Sequence, residues 1–98
     1  MINNNIKLQQ LRHFIIIAEI RKFSSASNIL GIAQPALSQS IQKLELILNT
    51  KLFVRHQQGV ELTESGKLFF PKAKRILNDL LEAQEDIKTL IDKPSGTV

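Results

Sequence analysis

Hydrophobic and polar positions along the chain follow helical periodicity in some segments and alternate in others. From Lys7 to Ile20 apolar side chains recur every three or four residues, which predicts a first helix. A shorter pattern begins after Phe23 and ends at Gly31, a residue whose backbone freedom suits a tight helix end. Ser24 is the expected N-cap of this second helix, and Phe23 before it can act as a hydrophobic staple.

A third helix is expected to begin near Gln34, because proline at position 35 is well tolerated in a first helical turn. Asn49 is its expected end, since asparagine tolerates positive φ better than most residues. The opposite faces of this helix differ, because one is apolar and the other carries uncharged amides and hydroxyls instead of the usual Glu and Lys. The apolar stripe consists of Leu37, Ile41, Leu44 and Leu48.

Residues 51–54 and 60–63 look like two short strands, and the Gly-containing segment 55–59 between them predicts a small β-ribbon of the type called a wing. Thr63 is the expected cap of a long fourth helix. Pro71 lies inside this helix and should kink it locally.

Apolar residues of the fourth helix recur at alternating spacings of four and three, which is the a/d pattern of a coiled coil. Packing of this stripe on the first part of the chain is the alternative to a dimer seam. A helix from Glu64 to Asp92 has more apolar surface than about 60 preceding residues can cover, so we expect a second copy to pair with it. The predicted seam consists of Phe69, Ala73, Ile76, Leu80, Ala83, Ile87 and Leu90. Flanking residues that could pack on the first part of the chain are Leu77, Leu81 and Ile91.

Charge is distributed unevenly along the 98 residues, whose formal net charge is +4. Residues 1–63 hold seven Lys or Arg against three acids, whereas residues 64–98 hold six of each. The excess therefore lies with the paired helices, as expected of a segment that binds a polyanion. The chain has no cysteine, no apolar run near the roughly 20 residues of a membrane span, and no signal-peptide pattern at Met1–Asn5. A cytoplasmic protein is expected.

The polar face of the third helix suits the edges of DNA bases. Glutamine can bind adenine through two hydrogen bonds, and proline can contact a thymine methyl group. We therefore expect A·T-rich half-sites to be read, with a merely solvated face as the alternative. The expected base-reading residues are Gln34, Pro35, Ser38, Gln39 and Gln42.

Hydroxyls and free N–H groups at the start of the second helix can hold a phosphate, which makes Ser24, Ser25 and Ser27 candidates for backbone contact. Lys43 is a further phosphate candidate. His13 and His56 are far apart in sequence, so no metal is expected. No nucleophile has a base and an orienting group beside it. Neither an enzyme nor a cofactor of this chain is expected.

Taken together, the motifs resemble the N-terminal DNA-binding region of LysR-type transcriptional regulators. They begin with Leu11-Arg-His-Phe14 and continue with Gln34-Pro-Ala-Leu-Ser38 in the third helix. Leu52-Phe53 with Arg55, and Leu62-Thr63 with Gly66, complete the resemblance.

The resemblance implies a mainly α fold, with a winged helix-turn-helix domain at residues 1–63 and a linker helix at residues 64–92 that pairs with its partner's. Residues 93–98 would be a hinge towards an absent effector-binding domain, the expected site of a small-molecule effector. Gly96-Thr-Val98 would begin the next strand. The resemblance also makes Arg55 a backbone contact in the wing and places Gln58 at the wing tip.

Some positions differ from the common LysR pattern. Ala33 stands where Ser is frequent, and Gln39 stands where Arg is frequent. Gln58 and Glu61 occupy places where basic residues are common.

The leading hypothesis is a bacterial, nucleoid-associated regulator that binds an interrupted palindrome as a homodimer or a dimer of dimers. The alternatives are a coiled-coil module for protein interaction and a non-specific architectural DNA-binding protein.

Overall fold

The computed structural model describes residues 5–92. In chain order its elements are α1 (Leu8–Ile20), α2 (Phe23–Leu30), α3 (Gln34–Leu48), β1 (Phe53–His56), β2 (Gly59–Leu62) and α4 (Glu64–Asp92). The predicted mainly helical architecture with a two-stranded wing is confirmed. The expected hinge at residues 93–98, with the strand start at Gly96-Thr-Val98, lies outside the described residues.

Left-handed residues end the first three helices. Gly31 has φ 70° and Asn49 has φ 57°, so both predicted helix ends are confirmed. Arg21 ends α1 in the same conformation, with φ 68°. Its carbonyl accepts a hydrogen bond from the Val60 N–H at 2.9 Å, which attaches the wing to the α1–α2 turn.

The predicted start of α2 is wrong by two residues, because the N-cap is Lys22 and not Ser24. The helix begins at Phe23, and Lys22 occupies the N-cap position without a side-chain hydrogen bond. Ser24 lies within the first turn, where its carbonyl accepts from the Ser27 hydroxyl at 2.8 Å. Packing explains the difference, because the buried Phe23 ring lies edge-on to Phe53 at 6.1 Å and this contact positions the first turn.

The strands of the wing lie at different positions from the predicted segments. β1 and β2 pair antiparallel with Arg55 opposite Val60 and His56 opposite Gly59. Arg55 and His56 therefore belong to a strand, and the turn consists only of Gln57 and Gln58. The Phe53 side chain enters the core and thereby sets the register of β1.

Thr63 caps α4 as predicted. Its Oγ1 accepts from the Gly66 N–H at 3.0 Å and donates to the Lys51 carbonyl at 2.6 Å. Gly66 allows this turn to approach the wing, because a Cβ there would overlap the Leu52 carbonyl and the Leu62 side chain. The cap and the glycine together fix how α4 leaves the wing.

Phe14 of α1 lies at the centre of the core and is fully buried. Its ring contacts Phe53 and Phe69, both at 5.3 Å between centroids, and Phe70 at 6.2 Å. Lys74 of α4 also reaches Glu19 of α1 at 3.0 Å. The core thus joins α1, the wing and the first half of α4.

Two residues of the predicted dimer seam belong to this core instead. Ala73 is fully buried within the single chain, and the half-buried Phe69 packs on Phe14. Ala73 therefore has no exposed surface left for a second copy, and most of the Phe69 side chain already faces the core. Leu77 also packs on the core as expected, whereas Leu81 and Ile91 are 54% and 73% exposed and do not.

Candidate nucleic-acid interface

The outer face of α3 is polar and open to solvent. Gln34, Pro35, Gln39 and Gln42 are all exposed, while Leu37, Ile41 and Leu44 on the other side are buried. The apolar stripe holds the helix against the core, so the amide groups point outward from a fixed support. We call α3 the recognition helix from here on.

Arg55 is the best-positioned cation next to the recognition helix. Its guanidinium carbon lies 3.9 Å from the centroid of the Phe23 ring. Its Nη2 donates to the Ser38 hydroxyl of the recognition helix at 3.2 Å. One arginine therefore contacts α2 and α3 from its own place in the wing, although its side chain remains exposed.

Ser38 is the predicted base reader that differs from the others. It is half-buried, and its hydroxyl already accepts the hydrogen bond from Arg55. The glutamines of the same face make no side-chain hydrogen bond to any other side chain that the structure describes. Ser38 is thus part of the junction between helix and wing.

The start of α2, the start of the recognition helix and the wing surround one depression. Its lining includes the predicted contact residues Ser24, Gln34, Arg55 and Gln58. Lys22, which sequence reasoning did not select, lines it as well. The sequence does contain a signal for Lys22, because it is a basic residue close before the serine-rich start of α2. Hydroxyls, amides and cations converge here, as a phosphate group would require.

The remaining backbone candidates have different environments. Ser25 is half-buried in the first turns of α2, and Lys43 is exposed on the recognition helix. Ser27 is buried and donates to the Ser24 carbonyl, so its hydroxyl cannot serve a phosphate and that prediction is wrong.

Glu45 lies on the buried side of the recognition helix. This carboxylate is buried, and its Oε2 accepts from the Leu52 N–H at 2.7 Å and the Phe53 N–H at 3.4 Å. Lys51 approaches its other oxygen at 3.8 Å. Because backbone donors occupy the carboxylate, it anchors the loop between the recognition helix and β1.

The two histidines have separate surroundings. His13 of α1 is buried and shares a hydrogen bond of 2.7 Å with the Ser40 hydroxyl of the recognition helix. Burial, and secondarily the charge of Arg12, lowers the pKa of His13 from its usual 6.5. His56 lies 2.8 Å from Glu61 in the wing, which gives Glu61 a partner within the ribbon.

Within residues 5–92 no group of three or more His, Cys, Asp or Glu side chains could hold a metal ion. The same residues include no helix with the length and apolarity that a membrane span requires.

This arrangement of three helices, a two-stranded ribbon and an exposed polar recognition helix defines the chain as a winged helix-turn-helix protein. Residues 8–67 match the family described as "Bacterial regulatory helix-turn-helix protein, lysR family". The chain belongs to this family, which is one of transcriptional regulators.

Among curated relatives, the chain is 49% identical over 72 residues to the HTH-type transcriptional regulator BudR of Raoultella terrigena, covering 74% of this chain and 25% of that protein. It is 36% identical over 93 residues to the nitrogen assimilation regulatory protein nac of Escherichia coli strain K12, covering 95% of this chain and 30% of that protein. The chain therefore spans about a quarter to a third of these relatives.

Solved structures show the same fold. The DNA-binding domain of BenM in complex with catB site 1 DNA superposes with a TM-score of 0.85 and 32% identity, over 90% of this chain and 98% of that chain. The LysR family transcriptional regulator VV2_1132 superposes with a TM-score of 0.86 and 32% identity, over 95% of this chain and 32% of that chain.

Proposed function

We propose that this chain is the part of a transcriptional regulator that binds double-stranded DNA in a sequence-specific manner. The recognition helix enters the major groove, which has the width to admit a helix and displays a distinct pattern for each base pair. The wing and the start of α2 contact the backbone on either side.

A single observation carries this proposal: the exposed face of the recognition helix bears uncharged amides and lies directly beside Arg55 and Lys22. Amides read base edges, and cations bind phosphates. An anchored helix that offers both within one surface suits DNA better than it suits a helical protein partner. The DNA complex of the similar BenM domain supports the same interpretation.

Within this surface each predicted residue except Ser38 has a proposed role. Gln34, Pro35, Gln39 and Gln42 read bases, and their lack of charge favours A·T-rich half-sites over guanine, which arginine and lysine bind. Phosphate contacts come from the depression beside the wing, from the first turns of α2 and from the exposed edge of the recognition helix. The proposed backbone residues are Ser24, Ser25, Lys43, Arg55 and Gln58.

We also propose that the second half of α4 joins two copies of the chain. Ile76, Ile87 and Leu90 are 48%, 56% and 69% exposed, and together with Leu80 and Ala83 they form one apolar stripe. Residues 1–63 with the first turns of α4 would be the DNA-binding unit, and the rest of α4 the linker. In the full-length protein we propose a dimer of dimers in the cytoplasm, associated with the nucleoid, with a small-molecule effector bound by a domain beyond residue 98.

The experiment removes the glutamines that face the groove. The triple variant Gln34→Ala, Gln39→Ala, Gln42→Ala should lose binding to a labelled duplex selected from a random pool, because each good amide–base pair contributes about 1–3 kcal/mol of discrimination. Its oligomeric state, measured by analytical ultracentrifugation, should not change.

Exposed glutamines elsewhere provide the matched control. Gln9 of α1 and Gln84 of α4 are also exposed, and replacing both with Ala should leave DNA binding intact. If the triple variant binds as tightly as the control while losing self-association, the helical interaction module is the better explanation.

A further inference from the structure

Arg55 is an exposed side chain held in one place by groups from two other elements. The planar guanidinium lies over the Phe23 ring with 3.9 Å between its carbon and the ring centroid. Its Nη2 donates to the Ser38 hydroxyl at 3.2 Å. Exposed arginines normally sample many rotamers, and ordering one on binding costs affinity. Here that ordering precedes any ligand.

The ring that supports Arg55 is itself buried and packed against a second ring. Phe23 is 6% exposed, and its ring lies edge-on to Phe53 at 6.1 Å. The face of the ring is the electron-rich side, which attracts a cation placed over it. The aromatic support therefore gives Arg55 both a position and a favourable electrostatic contact.

Most hydrogen-bonding capacity of Arg55 remains available. A guanidinium has five N–H donors in a fixed plane, and among residues 5–92 Ser38 is the acceptor for one of them. The residue lines the depression that Lys22, Ser24 and Gln34 also line. Its unused donors lie at the junction of the recognition helix and the wing, and two parallel N–H groups match the oxygens of a phosphate.

We propose that Ser38 and Phe23 are positioning residues that hold Arg55 ready for one DNA backbone phosphate where the recognition helix and the wing meet. This inference rests on the proposed function and replaces the base-reading role that the sequence predicted for Ser38. Ser38 acts through Arg55 instead of reading a base edge. Its contribution to binding is therefore independent of DNA sequence.

A double-mutant cycle tests the role of Ser38. Binding of a labelled duplex selected from a random pool is measured by fluorescence anisotropy at several salt concentrations for the unsubstituted chain, Ser38→Ala, Arg55→Gln and the double variant. Ser38→Ala should weaken binding about three- to ten-fold, the cost of ordering one long side chain. It should do so equally on duplexes altered at single base pairs.

Salt dependence separates the charge from its positioning. Arg55→Gln should lower the slope of log K against log salt by about 0.9, because one phosphate contact is lost. Ser38→Ala and the matched variant Arg55→Lys keep the charge and should keep the slope. In the Arg55→Gln background, Ser38→Ala should have no further effect.

The contact with Phe23 is tested without DNA. In nuclear magnetic resonance spectra of the free chain, side-chain proton signals of Arg55 should be shifted upfield by the ring beneath them. Phe23→Leu should return these signals towards ordinary arginine positions. If Phe23→Leu does not fold, the shift in the unsubstituted chain and the Ser38 cycle still decide the question.

The inference is overturned if Ser38→Ala weakens binding less than twofold, if its effect persists in the Arg55→Gln background, or if it changes the preference at a single base pair. Ordinary Arg55 shifts in the free, unsubstituted chain overturn it as well. Failure of the proposed function gives a different result, since the unsubstituted chain would then prefer no duplex over any other.

Discussion

Glu45 is a buried carboxylate on the inner side of the surface that we propose binds DNA, and backbone N–H groups donate hydrogen bonds to it. Replacing it with Ala leaves the buried Leu52 N–H without its acceptor at 2.7 Å. An unsatisfied buried donor costs about 1–3 kcal/mol, so the free energy of unfolding should fall by that amount. The ion pair with Lys51, whose side chain is 78% exposed, should contribute little.

Urea denaturation followed by circular dichroism measures this effect. Glu45→Gln keeps an acceptor oxygen in place and is the matched control, with a smaller expected loss. Equal losses in the two variants would show that the charge of Glu45, and not its acceptor role, stabilises the loop.

His13 gives the fold a pH dependence of defined sign. Its pKa is lowered by burial and by Arg12, so the unfolded chain binds a proton at higher pH than the folded chain does. The contribution of neutral His13 to the free energy of unfolding is therefore fully present above the ordinary histidine pKa of about 6.5. This contribution is lost as pH falls through the lower pKa of the folded state.

The free energy of unfolding of the unsubstituted chain should be smaller near pH 5 than near pH 7.5. His13→Asn removes the titrating group and should reduce that difference, whereas the control His56→Asn retains His13 and the dependence that it causes. A difference that persists unchanged in His13→Asn would refute the assignment to this residue.

At the scale of elements, features determined by local chemistry could be predicted from the sequence. Gly31 and Asn49 end their helices because their own backbones accept positive φ. Thr63 caps α4 through a contact three residues ahead. Gly66, recognised only as part of a motif, is explained by the close approach of the Leu52 carbonyl.

Features determined by distant contacts could not be predicted. The packing of Phe23 on Phe53 determines where α2 begins, and it overrides the capping tendency of Ser24. The position of Arg55 depends on Phe23 and Ser38. Periodicity also cannot distinguish a residue that packs within its own chain, such as Ala73, from one that faces a second copy.

α4 has two halves with different surroundings. Its apolar residues before Ile76 pack on the core, apart from Leu68, while Ile87 and Leu90 in its second half remain exposed. Replacing both Ile87 and Leu90 with Asp places charges in the proposed seam and should convert a dimer into a monomer. Analytical ultracentrifugation measures this change directly.

Leu81 provides the matched control for the seam. It is 54% exposed and lies about 140° around the helix from Ile76 at about 100° per residue. Leu81→Asp should therefore leave the dimer intact. Dissociation by Leu81→Asp alone, with no effect of the double variant, would move the interface to another face of α4.

As a whole, the described molecule is elongated, with extents of 59 × 35 × 20 Å. α4 is about 43 Å long at about 1.5 Å per residue, and its second half extends past the core that holds the recognition helix. Two copies joined there would present two recognition helices to one duplex. A dimer of this kind reads an inverted repeat whose half-sites are about one or two helical turns apart.

Selection of bound duplexes from a random pool tests the central claim, sequence-specific DNA binding by the recognition helix, most directly. The expected result is an enriched interrupted palindrome with A·T-rich half-sites, bound far more tightly than unrelated DNA. Enrichment of guanine at the half-sites would contradict the proposed amide readout. A pool from which no sequence is enriched would contradict sequence-specific binding itself.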